Sequence, residues 1–178
     1  MNTDFRNDCI SRKIPIVSIN TEKFISEFLF SYKPKVCLEI GSAVWYSTTI
    51  IAKQIQARNW HIFSFERSYP AYVEGLQNIS KNSLNNVSLY PFNFMEIKLE
   101  RFFLENFDFA FVDWQKSQYG NYLEKIRPLM ENNSSVIIDD VIKYHNKLWS
   151  LYEFLEKKQI NYEILKLEDD DWVMILKK

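Results

Sequence analysis

Asp113 closes one apolar run, Phe107 to Asp113, and Asp139-Asp140 closes the next, Ser135 to Asp139. Neighbouring parallel strands lie about 4.8 Å apart. Carboxylates at two adjacent strand ends therefore converge, and they repel one another unless protonated or bound to a cation. A hard, oxygen-preferring ion such as Mg²⁺ or a similar divalent cation is the natural occupant. Lys116, three residues after Asp113, reaches the same spot, where a cation acidifies a bound hydroxyl and the lysine takes or electrostatically shares its proton. Helix caps and a solvated lysine are the plainer reading of the same residues.

A second set of candidates lies earlier. Glu39-Ile40-Gly41 ends the first apolar run and leads through Ser42-Ala43-Val44-Trp45-Tyr46-Ser47 into a helical pattern. Glycine allows a sharp turn beside a ligand, and the helix start offers free N–H groups. Glu66 ends the second run, 25 residues after Gly41, about where a ribose-binding carboxylate stands in nucleotide-binding β-α-β units. Asn93, after the third run, has the donor and acceptor to read an adenine edge. A tight turn, a surface carboxylate and a loop amide are the alternatives.

These positions share one property: each follows a β-like run. Val36 to Ile40 reads as a strand buried on both faces, and Trp60 to Glu66, Val87 to Pro91, Phe107 to Asp113 and Ser135 to Asp139 read as further strands. Between them, helical periodicity runs over Thr48 to Ala57, Ala71 to Lys81, Met95 to Leu104 and Tyr119 to Met130, with a last helix over Lys147 to Lys158. A further helix starts at Asn20-Thr21-Glu22-Lys23 and ends at Pro34. Tyr162 to Leu167 and Trp172 to Leu176 are separated only by Glu168 to Asp171, a connection that makes an antiparallel hairpin. The expectation is an α/β fold, Rossmann-like and doubly wound, with a mostly parallel sheet and an antiparallel C-terminal hairpin. In such sheets ligands bind outside the carboxyl ends of the strands.

At 178 residues and 47% hydrophobic, the chain suits one domain over 1–178, with 1–19 as an N-terminal arm. A net charge of −1 exerts no global pull on nucleic acid or anionic membrane. Cys9 and Cys37 are the only cysteines, and Cys37 lies in an apolar run, so a disulfide framework is not expected and the context reads as reducing and cytoplasmic. No run approaches the roughly 20 apolar residues of a membrane span.

The order of these motifs resembles the metal-dependent O-methyltransferases of the catechol and caffeoyl-CoA type, within the class I enzymes that use S-adenosylmethionine. Glu39-Ile40-Gly41, Tyr46-Ser47, Glu66, Asp113-Trp114-Gln115-Lys116-Ser117-Gln118-Tyr119 and Asp139-Asp140 carry the likeness, with Ile14-Pro15-Ile16-Val17-Ser18 similar to the family segment beside the methionine part of the cofactor. The resemblance implies that Gly41 and Ser47 hold the methionine moiety, Glu66 the ribose hydroxyls, and Asn93 and Trp114 the adenine region, with Glu39 also among the cofactor-binding residues. It further implies that Asp113, Asp139 and Asp140 hold the metal and that Lys116 assists deprotonation of a metal-bound hydroxyl on a small phenolic or diol acceptor. Two departures stand out. Trp45 occupies a position where the family has glycine, so its indole either folds away or fills part of the cofactor pocket; Asp140 replaces asparagine. The segment after Val141 is short, and Trp172 follows Asp171 where the family often has glycine.

Alternatives remain open at this level. A tRNA hydroxyuridine O-methyltransferase would need a basic surface, for which Lys143, Lys147, Lys157 and Lys158 are the candidates. A degenerate, non-catalytic binding module would follow if Trp45 blocked the cofactor, and the aromatic content of 16% suits a homodimer surface as well as a thick core. A dinucleotide-dependent dehydrogenase lacks the later glycines of its fingerprint.

Overall fold

A computed structural model describes residues 3–102 and 106–178. Its sheet has seven strands: β1 (Val36–Ile40), β2 (His61–Phe65), β3 (Val87–Tyr90), β4 (Phe107–Val112), β5 (Met130–Ile138), β6 (Tyr162–Glu168) and β7 (Asp171–Lys177), in the order β3-β2-β1-β4-β5-β7-β6. The pairs β3-β2, β2-β1, β1-β4 and β4-β5 are parallel, and β7 is antiparallel to both β5 and β6. The expected Rossmann-like α/β architecture is therefore present, with its antiparallel C-terminal pair. The order reverses between β1 and β4, the place where such sheets open a crevice.

Six α-helices accompany the sheet among the described residues: α1 (Thr3–Ser11), α2 (Ile19–Tyr32), α3 (Tyr46–Gln56), α4 (Tyr69–Lys81), α5 (Tyr119–Ile126) and α6 (Trp149–Lys157). Period-two alternation sends the side chains of the central strands to two core layers. Leu38, Ile40, Ala110, Val112, Val136 and Ile138 pack with α5 and α6, while Cys37, Phe109, Phe111 and Ile137 pack with α2 and α3. Full burial of such a side chain contributes about 1.5–3 kcal/mol, so strands covered on both faces anchor the sheet. None of the described helices is long and apolar enough to cross a membrane.

Local chemistry sets the helix ends. Ser18 Oγ accepts from the N–H groups of Asn20 and Thr21 at 3.1 and 2.9 Å and starts α2. Lys33, left-handed at φ 60°, stops it before Pro34. Ser18 also donates to Asp171, and Thr21 Oγ1 donates to the same carboxylate at 2.8 Å, tying α2 to the C-terminal hairpin.

The N-terminal arm carries a helix not expected from the sequence, and two expected helices need correction. Within the N-terminal arm, residues 3–11 form α1, held from afar: Arg6 donates to Val17 O and Tyr46 Oη, each at 3.1 Å, and Arg12 makes a two-pronged pair with Glu74 at 2.5 and 2.7 Å. Met95 to Leu104 is not an α-helix where it is described. Two 3-10 turns, Phe94–Glu96 and Leu99–Phe102, replace it, and Leu104 lies outside the described residues. Lys125 Nζ of α5 takes the carbonyls of Phe94, Met95 and Ile97 at 2.6, 3.1 and 2.6 Å, acceptors that a continuing α-helix would have used. Finally, α5 ends at Ile126 rather than Met130, because Pro128 lacks an N–H and the chain tightens into a 3-10 turn over Arg127–Leu129.

Candidate active site

One more rung of the parallel ladder lies beyond each central strand. Gly41 N donates to Phe65 O, Glu66 N to Tyr90 O and Asp113 N to Ile40 O, each at 3.0 Å, and Asp139 N donates to Val112 O at 3.1 Å. These bonds pin Gly41, Glu66, Asp113 and Asp139 side by side along the carboxyl edge of the sheet. The topology thus brings together the residues that the sequence singled out at strand ends.

The acidic group is compact. One carboxylate oxygen from each of Asp113, Asp139 and Asp140 lies within 4.8 Å of the others. Asp139 is buried and accepts from Asp140 N through Oδ1 at 2.9 Å. Asp140 takes a left-handed φ of 62°, a conformation aspartate tolerates better than most residues. Burial, then repulsion from Asp113 and Asp140, pushes the Asp139 carboxyl well above the ordinary range, although Lys116 opposes this. The donor set is three carboxyl groups, all oxygen, and it fits a hard divalent cation, whose charge would offset the repulsion that disfavours ionised Asp139.

Lys116 opens the 3-10 turn before α5, and its Nζ lies 2.5 Å from Asp113 Oδ1 and 3.2 Å from Asp140 Oδ2. Burial alone would lower its pKa, but Asp113, Tyr119 and Asp140 outweigh it and hold the ammonium above its ordinary value. The rings of Tyr119 and Tyr144 stand 5.4 and 5.5 Å from the same nitrogen. The lysine is therefore the cluster's internal counter-charge, and its proton is firmly held.

Across the β1–β4 switch lies the Gly41–Ser47 turn. At Gly41, φ is +89°, and a Cβ would lie 2.4 Å from both Asp113 O and Trp114 Cβ. The glycine lets the two strand-end loops touch, so it brings the turn close to Asp113 whatever else it does. Glu39, fully buried on β1, accepts from the hydroxyls of Thr48 and Ser64 through Oε2, while its Oε1 has no hydrogen-bond partner. Burial pushes this carboxyl up to about 7 against the pull of the Ser47, Ser64 and Thr48 hydroxyls. Ser42 Oγ is also buried and unpartnered. Ser47 lies in the first turn of α3, whose start has no side-chain cap; first-turn N–H groups there lack intrahelical acceptors.

Glu66 is buried and already braces the turn, with Oε2 accepting from Ala43 N at 3.0 Å and Oε1 from Ser68 N at 2.7 Å. Trp114 is half-buried and stacks on Tyr122 with ring centres 6.2 Å apart, with the Arg67 guanidinium 5.8 Å from the indole. Asn93 is less free than its type suggested: its amide accepts from Met95 N at 3.2 Å and donates to Glu96 Oε1 at 2.7 Å, capping the 3-10 turn.

Trp45 takes the first of its two courses. The indole is fully buried under α4, with Nε1 donating to Ala71 O at 3.0 Å. Gly75 makes the room, since a Cβ there would lie 1.4 Å from Nε1. Sequence reasoning missed Gly75, Thr48 and Ser64. Gly75 had a signal, because a glycine inside a helical pattern is costly and usually has a packing reason; the two hydroxyls had none.

Residues 5–152 match the family model described as O-methyltransferase. Caffeoyl-CoA O-methyltransferase from Populus kitakamiensis is 28% identical over 141 residues, covering 75% of this chain and 55% of that protein. The enzyme of the same name from Stellaria longipes is 26% identical over 160 residues, covering 87% of this chain and 62% of its own length. The chain thus spans somewhat over half the length of these curated relatives. Among solved structures, the O-methyltransferase from Bacillus cereus, crystallised with SAH, superposes with a TM-score of 0.80 at 20% identity, covering 98% of this chain and 89% of that one. The structural likeness speaks for the fold, whereas the family match runs through every strand of the parallel sheet and both sets of strand-end residues. The chain belongs to the O-methyltransferase family.

Proposed function

We propose that this chain is an S-adenosylmethionine-dependent O-methyltransferase acting on a hydroxyl of a small phenolic or diol acceptor, with help from Mg²⁺ or a similar divalent cation. The observation that carries the reading is the placement of the Asp113, Asp139, Asp140 and Lys116 cluster beside the Gly41–Ser47 turn on one sheet edge. Cofactor chemistry fits the open valences of that turn. The unpartnered Glu39 Oε1 suits the ammonium of the methionine moiety, and the uncapped start of α3 suits its carboxylate. Glu66 retains acceptor capacity for ribose hydroxyls beyond its two backbone bonds, and the Trp114 ring offers a flat apolar surface for adenine. Arg6, bridging Val17 O and Tyr46 Oη, holds the Ile14–Ser18 segment against the same end of α3.

A divalent cation, when bound by the three aspartates, supplies charge that makes an acceptor hydroxyl easier to ionise. Lys116 enters as a cation: its ammonium stabilises the developing oxyanion and lets the proton leave to solvent. The protein otherwise contributes alignment of acceptor oxygen, methyl group and sulfur, which accounts for much of the rate in such transfers. The packing of Trp45 under α4 weighs against the binding-module alternative, which required the indole in the cofactor site.

The test is methyl transfer from S-adenosylmethionine to simple ortho-diphenols, with Mg²⁺ and with chelator. Mono-methylated product that depends on the metal is expected. A folded protein that binds the cofactor yet methylates no diphenol or other diol, with any of Mg²⁺, Mn²⁺ or Ca²⁺, contradicts the assignment.

A further inference from the structure

We propose that Trp45 is a positioning residue whose indole, seated on Gly75 of α4, holds the left-handed turn that presents the start of α3 to the cofactor. The inference rests on the cofactor reading above. Trp45 has φ 72° and ψ 29°, a conformation that glycine adopts freely and a residue with a Cβ resists. Ala43, two residues earlier, is also at positive φ, 46°. This turn therefore needs an external restraint that a glycine at position 45 would not.

α4 provides it. Ala71, Gly75 and Asn78 lie at helical spacing on one face of α4. Ala71 O accepts the indole N–H, Gly75 leaves space for the ring, and Asn78 Nδ2 donates to Val44 O at 3.1 Å. The edge of Tyr72 closes the side of the indole, with ring centres 6.5 Å apart at 68°. On the other side, Trp45 O accepts from Thr49 N at 3.0 Å and Thr49 Oγ1 at 2.8 Å, so the residue pinned by its side chain also begins the hydrogen-bond ladder of α3. A glycine in mid-helix ordinarily weakens the helix. Here the loss at Gly75 is matched by the docking of the turn, and packing does at Trp45 what conformational freedom does elsewhere.

Two substitutions at position 45 separate this role from simple loss of buried volume. Trp45→Ala keeps the strained Cβ and removes the anchor, whereas Trp45→Gly removes both. Calorimetry with S-adenosylhomocysteine should show Trp45→Ala weakened about tenfold or more and Trp45→Gly within about threefold of wild type. Gly75→Ala, which leaves no room for the indole, should match Trp45→Ala, and adding Trp45→Gly to it should restore binding. Equal losses in Trp45→Ala and Trp45→Gly would overturn the proposal, as would wild-type affinity in a Gly75→Ala protein whose tryptophan fluorescence shows the indole displaced. If wild type binds no S-adenosylhomocysteine, the cofactor reading fails on its own, and hydrogen exchange at the amides of Tyr46 to Thr49 decides the positioning role. Faster exchange in Trp45→Ala than in Trp45→Gly supports it, and equal rates refute it.

Discussion

Asp139→Asn should lose methyl transfer by two to three orders of magnitude while the protein, measured in chelator, becomes no less stable at neutral pH. The side chain is buried against Asp113 and Asp140, so without a cation its ionised form is a source of repulsion. Asparagine keeps the acceptor for Asp140 N, now 2.9 Å from Asp139 Oδ1, and removes the charge. A cation's contribution to such a transfer is worth several kcal/mol, which corresponds to a loss on the order of 10²–10³-fold. Initial rates at saturating Mg²⁺ and urea denaturation with chelator test the two halves separately. Unchanged rates would remove Asp139 from the site; a large loss of stability in chelator would give it a structural role instead.

Glu39 should leave its mark on the pH dependence of stability. Its folded-state carboxyl is pushed up to about 7 from an ordinary 4.5, chiefly by burial. Between those values the folded chain keeps a proton that the unfolded chain has released. Stability is therefore highest below about pH 4.5 as far as this group is concerned, falls as pH rises, and levels above about 7, with a total change of about 3 kcal/mol. Asp139, also raised, adds a slope of the same sign. Glu39→Gln should flatten the profile between pH 4.5 and 7 without abolishing the slope, since the Thr48 and Ser64 hydroxyls can rotate to suit the amide. Denaturation midpoints across that window, taken in chelator, are the measurement. An unaltered slope would mean that Glu39 is ionised in the folded protein.

The parallel strands were legible because each is a short apolar run with a glycine, asparagine or acidic residue near its end; burial on both faces leaves little ambiguity about where the central runs β1 and β4 go, whereas β3 is a half-buried edge strand. Gly41, Glu66, Asp113 and Asp139 could be placed on one edge for the same reason: topology alone aligns them. What the sequence hid were contacts made across the chain. The helix expected from Met95 is broken by an amine from α5, and α1 is held by Arg6 and Arg12 reaching partners 11 to 62 residues away. Asn93 has a type that suits adenine, but its amide is occupied in a local cap. Trp45 shows the limit most clearly, because both of its courses suited the sequence until Gly75 was found beneath the indole.

Calorimetric titration of the full chain with S-adenosylmethionine tests the central claim most directly, because it needs neither acceptor nor metal. The account predicts one molecule bound per chain, with a dissociation constant in the range of roughly 1 μM to 1 mM typical of enzyme substrates, weakened by substitution of Glu66 with alanine. A folded protein that takes up no cofactor at concentrations of about 1 mM would contradict it and leave the fold without the reaction proposed for it.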